Sequence, residues 1–326
     1  MSSPILEVRD LRKYYPVRGG LFGGKRGDVK AVESVSLDVE PGETLGLVGE
    51  SGCGKSTLGR TVMRLEEPTS GAVRFEGRDV AHASKRELFE LRRDLQMIFQ
   101  DPYSSLNPRL TIGEIVREPL DIHRRGTHTE RLERVEELLE SVGLQVSWKD
   151  RYPHELSGGQ RQRVGVARSL ALGPKLIIAD EPVSALDVSV QGQILNLMVR
   201  FQWELELSYI FISHDLSVVE YISDRVAIMY LGRIVEQGAK TAIFANPGHP
   251  YTRALMDAVP VAHPAQRRER EPISGESPSA VNPPPGCAFH PRCPFAVDVC
   301  RELVPELEPT GGNDGHVVAC HRQGEV

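Results

Sequence analysis

The rhythm of hydrophobic and polar positions changes several times along the 326-residue chain, and each change predicts a different kind of element. Up to residue 46 apolar and polar side chains alternate, as in Ile5-Leu6-Glu7-Val8 and again from Ala31-Val32 through Leu37-Asp38-Val39. That period of two belongs to antiparallel strands. Between them, the Gly-rich stretch Arg18 to Asp28 reads as an exposed loop. Thr44-Leu45-Gly46-Leu47-Val48 is a continuous apolar run, predicted as a buried strand, and Leu58 to Leu65 reads as helical. Residues 101–170 are mostly helical in pattern, for example Thr129 to Val142. From 171 to 235 strands and helices alternate, the signature of a parallel sheet covered by helices. No internal repeat interrupts this order.

After residue 258 the composition shifts. Val259 to Gly286 holds seven prolines and the charged run Arg267-Arg268-Glu269-Arg270-Glu271, which predicts an extended linker. The expected organisation is a large domain over 1–258 with a helical part over about 101–170, a linker over 259–286 and a cysteine-rich extension over 287–326. The net charge of −6 argues against nucleic acid as the main partner. There is no N-terminal hydrophobic signal, and no apolar run approaches the ~18 residues that span a bilayer. A cytoplasmic protein is expected, and any work at a membrane requires other subunits to supply the span.

The strongest chemical signal follows the buried strand. Gly49-Glu50-Ser51-Gly52-Cys53-Gly54-Lys55-Ser56-Thr57 fits the phosphate-binding pattern G-x-x-x-x-G-K-[ST]. Composition alone would produce such a match in roughly one chain of this length per hundred. Its strand–loop–helix setting is the one the motif needs. Glycines at 49, 52 and 54 let backbone N–H groups turn inward around phosphate at the positive end of a helix. Lys55 is expected to reach the β- and γ-phosphates of a nucleotide and Ser56 to hold Mg²⁺. A second anion-binding helix start follows at Leu156-Ser157-Gly158-Gly159-Gln160, leading into Arg161-Gln162-Arg163-Val164. One nucleotide does not need two such sites in one chain, so the second is expected to face the nucleotide of a partner.

These residues resemble the ATP-binding cassette (ABC) family, whose signature is LSGGQ. No Asn-Lys-x-Asp motif for reading a guanine base occurs. The resemblance implies an α/β P-loop NTPase fold with a RecA-like core, an antiparallel β subdomain and a helical signature subdomain. Lys175-Leu176-Ile177-Ile178-Ala179-Asp180-Glu181 is similar to the family's Walker B strand. Alternation along a strand lets Asp180 contact Mg²⁺ while Glu181 polarises the attacking water as general base. Gln100, after Met97-Ile98-Phe99, matches the Q-loop glutamine that touches Mg²⁺ and water. Ser184-Ala185-Leu186-Asp187 matches the D-loop, which crosses the dimer interface, and His214 matches the switch histidine at the γ-phosphate. Tyr14 and Tyr15 lie where the family places an aromatic that stacks on adenine, with Tyr15 favoured by its spacing after Leu11-Arg12-Lys13.

The resemblance narrows further. Phe99-Gln100-Asp101-Pro102-Tyr103 and Asn246-Pro247-Gly248-His249-Pro250-Tyr251-Thr252 look like the ATPases of bacterial oligopeptide/dipeptide importers, and Gly159-Gln160-Arg161-Gln162-Arg163 with Pro182-Val183-Ser184 resemble the second (F-type) of their two ATPases. This implies ATP-driven closure of a heterodimer with a paralogous ATPase, two membrane permeases and an extracytoplasmic solute-binding protein, at the cytoplasmic face of the membrane. Nickel or another small solute is the alternative cargo. A soluble ABC ATPase of translation or DNA repair is the alternative class, and it would carry paired cassettes or long coiled-coil insertions.

Four of the five cysteines, Cys287, Cys293, Cys300 and Cys320, fall in the last forty residues; Cys53 is a small spacer in the phosphate loop. In a reducing cytoplasm such clustering points to metal or to chance. The intervals of five, six and nineteen residues match neither structural zinc nor common ferredoxin patterns. Mixed zinc ligation with His290, His316 or His321 stays open, and the resemblance favours a [4Fe–4S] cluster.

Overall fold

The computed structural model describes residues 3–19, 24–101, 105–258, 275, 278–311 and 315–325. Most of the predicted linker over 259–286 therefore lies outside the described residues. In chain order the elements are β1 (Leu6–Gly19), β2 (Gly24–Val39), β3 (Thr44–Val48), α1 (Lys55–Val62), β4 (Ser70–Phe75) and β5 (Arg78–Asp79). Then come α2 (Lys85–Asp94), β6 (Leu95–Ile98), α3 (Ile112–Ile122), α4 (His128–Ser141), α5 (Gly158–Leu170), β7 (Leu176–Asp180) and α6 (Val188–Leu205). The chain continues through β8 (Ser208–Ser213), α7 (Leu216–Ile222), β9 (Arg225–Tyr230), β10 (Arg233–Ala239), α8 (Lys240–Ala245) and α9 (Pro250–Ala258). It closes with α10 (Asp298–Glu302), β11 (Glu308–Pro309) and β12 (Val317–Val318). These elements form two compact units, Met1–Val39 with Thr44–Ala81 and Ser213–Val326, and Glu40–Glu43 with His82–Ile212.

In the first unit an antiparallel sheet of order β2-β1-β4-β5 is built on the expected alternation. Leu6 and Val8 on β1 and Val35, Leu37 and Val39 on β2 are buried. The period slips between Val8 and Leu11, where Asp10 takes a left-handed backbone (φ 45°), and again between Leu11 and Lys13, where Ser34 on β2 does (φ 58°). These bulges return Leu11 and Val32 to the buried face. The predicted loop over Arg18 to Asp28 is corrected: the β1–β2 ladder runs on to Gly19 paired with Gly24. Backbone hydrogen bonds carry this extension, so it leaves no hydrophobic pattern to read.

The same unit holds β3 parallel to β9, followed by antiparallel partners β10, β12 and β11. All five residues of β3 are buried, which explains its unbroken apolar run. The C-terminal residues pack onto this unit's own core. Phe289 lies edge-on to Tyr230 at 5.3 Å and 5.4 Å from Tyr251, and β12 adds to β10 through Glu236–Val318.

In the second unit β6, β7 and β8 run parallel, with Leu95 opposite Leu176 and Leu176 opposite Ser208. Helices α2, α3, α4 and α5 each begin with a capping box, Ser84 with Glu87, Thr111 with Glu114, Thr127 with Glu130 and Ser157 with Gln160. Each box satisfies helix N–H groups that would otherwise lack partners. Helix α3 buries Ile112, Ile115, Val116 and Leu120, one face of a 3.6-residue period, toward α4 and α5.

Candidate functional site

The phosphate loop joins β3 to α1 within the first unit. Gly54 caps α1 in a left-handed backbone (φ 110°), and a Cβ there would sit 2.0 Å from the Ala31 carbonyl oxygen. Only glycine fits. At Gly49 a Cβ would lie 2.1 Å from the Met229 carbonyl oxygen, so β9 presses directly against the loop. Lys55 is buried, and its Nζ donates to the carbonyls of Gly49 (2.6 Å) and Glu50 (2.9 Å) inside the loop. Burial pushes the Cys53 thiol up, partly opposed by Lys55 3.8 Å away. A thiol held protonated fits its reading as a spacer. Ser51, Gly52, Ser56 and Thr57 lie in or just after the loop, with Ser56 and Thr57 on the first turn of α1.

Two more predicted positions belong to this unit. His214 is exposed at the turn after β8, between Ser213, whose Oγ accepts the Asp215 N–H (3.0 Å), and Asp215, which caps α7. Tyr14 and Tyr15 sit on β1 and so point to opposite faces. Tyr14 is committed elsewhere: its hydroxyl donates to Glu33 (2.8 Å), and burial with that contact pushes its pKa up to about 12. The Lys13 ammonium lies 4.7 Å from the Tyr15 ring centroid.

In the second unit β7 ends at fully buried Asp180, and Glu181 follows at once. The Glu181 backbone is left-handed (φ 45°), which few side chains adopt without support from their surroundings. Support is present: the Glu181 N–H donates to the Ile212 carbonyl (2.9 Å), and its own carbonyl accepts the Ser184 hydroxyl (3.1 Å). Gln100, two residues past β6, donates from Nε2 to Glu181 Oε2 (2.9 Å). The motif spacing did not foretell the unusual backbone at Glu181; no local sequence signal marks it.

The signature residues open α5. Ser157 is its N-cap, accepting the Gln160 N–H, while the Gln160 side chain accepts the Ser157 N–H (2.9 Å). Gly158 is the first helical residue. At Gly159 a Cβ would lie 2.3 Å from Val190 Cγ1, so the start of α5 meets the first turn of α6. Asp187 caps α6, accepting from the Ser189 hydroxyl (2.7 Å) and the Val190 N–H (3.0 Å). These bonds hold its carboxyl below the usual range.

Of the four C-terminal cysteines, Cys287 donates its N–H to the Cys300 carbonyl (2.8 Å), and all four are free thiols. Burial pushes the Cys287 thiol up to about 11, and Cys300, Cys320 and Cys293 add to the shift in that order. Four cysteine thiols offer the donor chemistry of a soft metal centre. Among the described residues, however, no three His, Cys, Asp or Glu side chains are arranged to hold a metal ion. His290 and His321 spend ring nitrogens on the carbonyls of Cys287 and Leu303, and His316 on Glu236. Also among the described residues, no helix is long and apolar enough to cross a membrane.

Comparison with known proteins adds to this geometry. Residues 32–184 match the ABC transporter family model, and residues 235–300 match the model for the C-terminal region of oligopeptide/dipeptide transporters. The chain is 56% identical to the oligopeptide transport ATP-binding protein AppF of Bacillus subtilis over 97% of each chain. It is 52% identical to the dipeptide transport ATP-binding protein DppF of Escherichia coli, over 98% of this chain and 95% of that one. The dimeric post-hydrolysis structure of the ATP-binding cassette MJ0796 bound to ADP and Pi superposes with a TM-score of 0.65 at 30% identity, covering 72% of this chain and 98% of that one. The chain belongs to the ATP-binding proteins of the ABC transporter family, and within it to the group carrying the oligopeptide/dipeptide transporter C-terminal region.

Proposed function

We propose that this chain is the ATP-hydrolysing subunit of an importer for di- or oligopeptides. The hydrogen bond from Gln100 to Glu181 carries the hydrolytic part of the reading, because it fixes a carboxylate at the end of β7 where a general base is required. The peptide cargo rests on relatives that are named as oligopeptide and dipeptide transport proteins and align over nearly the whole chain.

Lys55 and the backbone amides of Gly49 to Thr57 hold the phosphates, Tyr15 stacks on adenine and His214 contacts the γ-phosphate. Ser56, Asp180 and Gln100 would hold Mg²⁺, which neutralises charge on the phosphate oxygens when bound. Glu181 takes the proton of the attacking water. Ser157, Gly158, Gly159 and Gln160, with Asp187, serve the nucleotide held by a paralogous partner ATPase. The dimeric state named for MJ0796 supports pairing of cassettes. Closure of the pair drives two permeases at the cytoplasmic face, supplied by a solute-binding protein outside. Residues 1–258 form the nucleotide-binding domain, 259–286 the linker and 287–326 the extension. For Cys287, Cys293, Cys300 and Cys320 a structural [4Fe–4S] cluster is the favoured occupant and zinc the alternative, supported by the donor chemistry of four free thiols. Iron, sulfide and zinc analysis of anaerobically purified protein decides between them.

The functional test is uptake. Proteoliposomes holding the whole complex should accumulate a labelled dipeptide only with MgATP and the solute-binding protein. Uptake of nickel ion without peptide uptake contradicts the cargo.

A further inference from the structure

Glu50, the second residue of the phosphate loop, is gripped from two C-terminal segments of its own unit. The Glu50 N–H donates to the Tyr251 hydroxyl (2.8 Å) on α9, 201 residues later. Its carboxylate takes a two-armed contact from Arg292, Nη1 to Oε2 at 2.8 Å and Nη2 to Oε1 at 2.9 Å. Arg292 is 7% exposed along its side chain and Glu50 25%, so the pair is shielded from water. Arg292 also approaches the Tyr230 hydroxyl at 3.4 Å. It ends the short 3₁₀ turn His290–Arg292, directly after Phe289, which is buried against Tyr230 and Tyr251. The aromatic anchor fixes the turn, and the turn aims the guanidinium at the loop.

We propose that Arg292, with Tyr251, is a positioning residue for ATP binding: the C-terminal extension holds the phosphate loop and neutralises the one carboxylate within it. The proposal rests on the reading that Gly49 to Thr57 binds ATP phosphate. The Glu50 carbonyl already accepts from Lys55 Nζ (2.9 Å), so backbone displacement at Glu50 is felt by the lysine. An uncompensated Glu50 carboxylate would repel the polyphosphate and compete for Lys55, in surroundings where charges act more strongly than in water. A bidentate arginine–carboxylate pair gives both neutralisation and a fixed direction, which a lysine cannot fully reproduce.

The test is equilibrium binding of MgATP to the full-length chain. Arg292→Ala should weaken binding by about tenfold, the size of a typical coupling between contacting sites. Adding Glu50→Gln to that variant should restore most of the loss by removing the charge. Arg292→Lys should fall between, and the defect should shrink as salt is raised. Tyr251→Phe removes one hydroxyl and no packing, and should also weaken binding if Arg292→Ala proves insoluble. A tail that merely staples itself to the body would lose thermal stability in Arg292→Ala with ATP affinity unchanged, or stay weak when Glu50→Gln is added. Either result overturns the proposal. Lys55→Ala separates the two readings: it should abolish binding, and if it does not, the phosphate-loop reading itself fails and this inference with it.

Discussion

Gln100 and Glu181, 81 residues apart in the chain, meet through a 2.9 Å hydrogen bond from the glutamine amide to the carboxylate. They follow neighbouring parallel strands, β6 and β7, so the sheet register sets their approach. Glu181 holds a left-handed backbone there, and the Gln100 amide helps orient its carboxylate. Gln100→Ala should therefore lower kcat for ATP hydrolysis by roughly ten- to a hundredfold while KM changes little, as expected for loss of a group that orients a general base. Steady-state ATPase kinetics check this; a change confined to KM points to nucleotide binding instead.

Gly159 sits where the starts of α5 and α6 touch, 2.3 Å from Val190 Cγ1 to a Cβ added at the glycine. Gly159→Ala should destabilise the protein by about 1–3 kcal/mol through overpacking. Adding Val190→Ala should recover part of that loss, because the two changes share one space. Denaturant unfolding of the single and double variants measures the coupling, and strict additivity contradicts the contact.

Ser157 caps α5, so its replacement removes a cap worth about 1 kcal/mol as well as the signature hydroxyl. Ser157→Arg, in the assembled pair of ATPases, should block hydrolysis of the nucleotide held by the partner's phosphate loop. Photolabelling with an ATP analogue after turnover reports each subunit separately. Loss at this chain's own loop would refute the cross-dimer role.

His249 is buried, and its Nδ1 accepts the Tyr251 N–H (3.0 Å), which requires the neutral ring. Burial lowers its pKa from 6.5 to about 4, with neighbouring Glu236 opposing the shift. The Glu236 carboxyl is disfavoured by burial, yet bonds from His316, Thr252, Gly248 and His249 hold it below its usual range. The folded state thus binds fewer protons than the unfolded chain between pH 6.5 and 4. The His249 contribution is complete above pH 6.5, and about 3 kcal/mol of it is lost as pH falls through about 4. His249→Gln should flatten the stability profile between pH 6.5 and 4.5, measured by urea unfolding; an unchanged slope contradicts the assignment. Glu236 adds its own loss only below its unfolded value near 4.5.

Legibility in the sequence followed the range of the interaction. The phosphate loop, the signature helix start and the strand carrying Asp180 are local in sequence, and their glycine, serine and carboxylate spacings report backbone geometry directly. The same holds for β3, whose five buried residues are five consecutive apolar or tolerant ones. The extension of β1 and β2 to Gly19 and Gly24 was not legible, because a ladder of backbone bonds needs no apolar period. Nor was the grip on Glu50, whose partners lie 201 and 242 residues away. Polar contacts over such separations carry no periodic trace, although Tyr251 belongs to a motif that the sequence had already set apart.

The central claim, that Glu181 is the general base of an ATP-hydrolysing transport subunit, is tested most directly by measuring ATP turnover and MgATP binding in Glu181→Gln. The amide keeps the shape but cannot take a proton from water. Turnover should fall by at least about a hundredfold, the usual worth of a general base, while MgATP affinity stays near that of the wild type. Turnover at the wild-type rate in this variant would contradict the account.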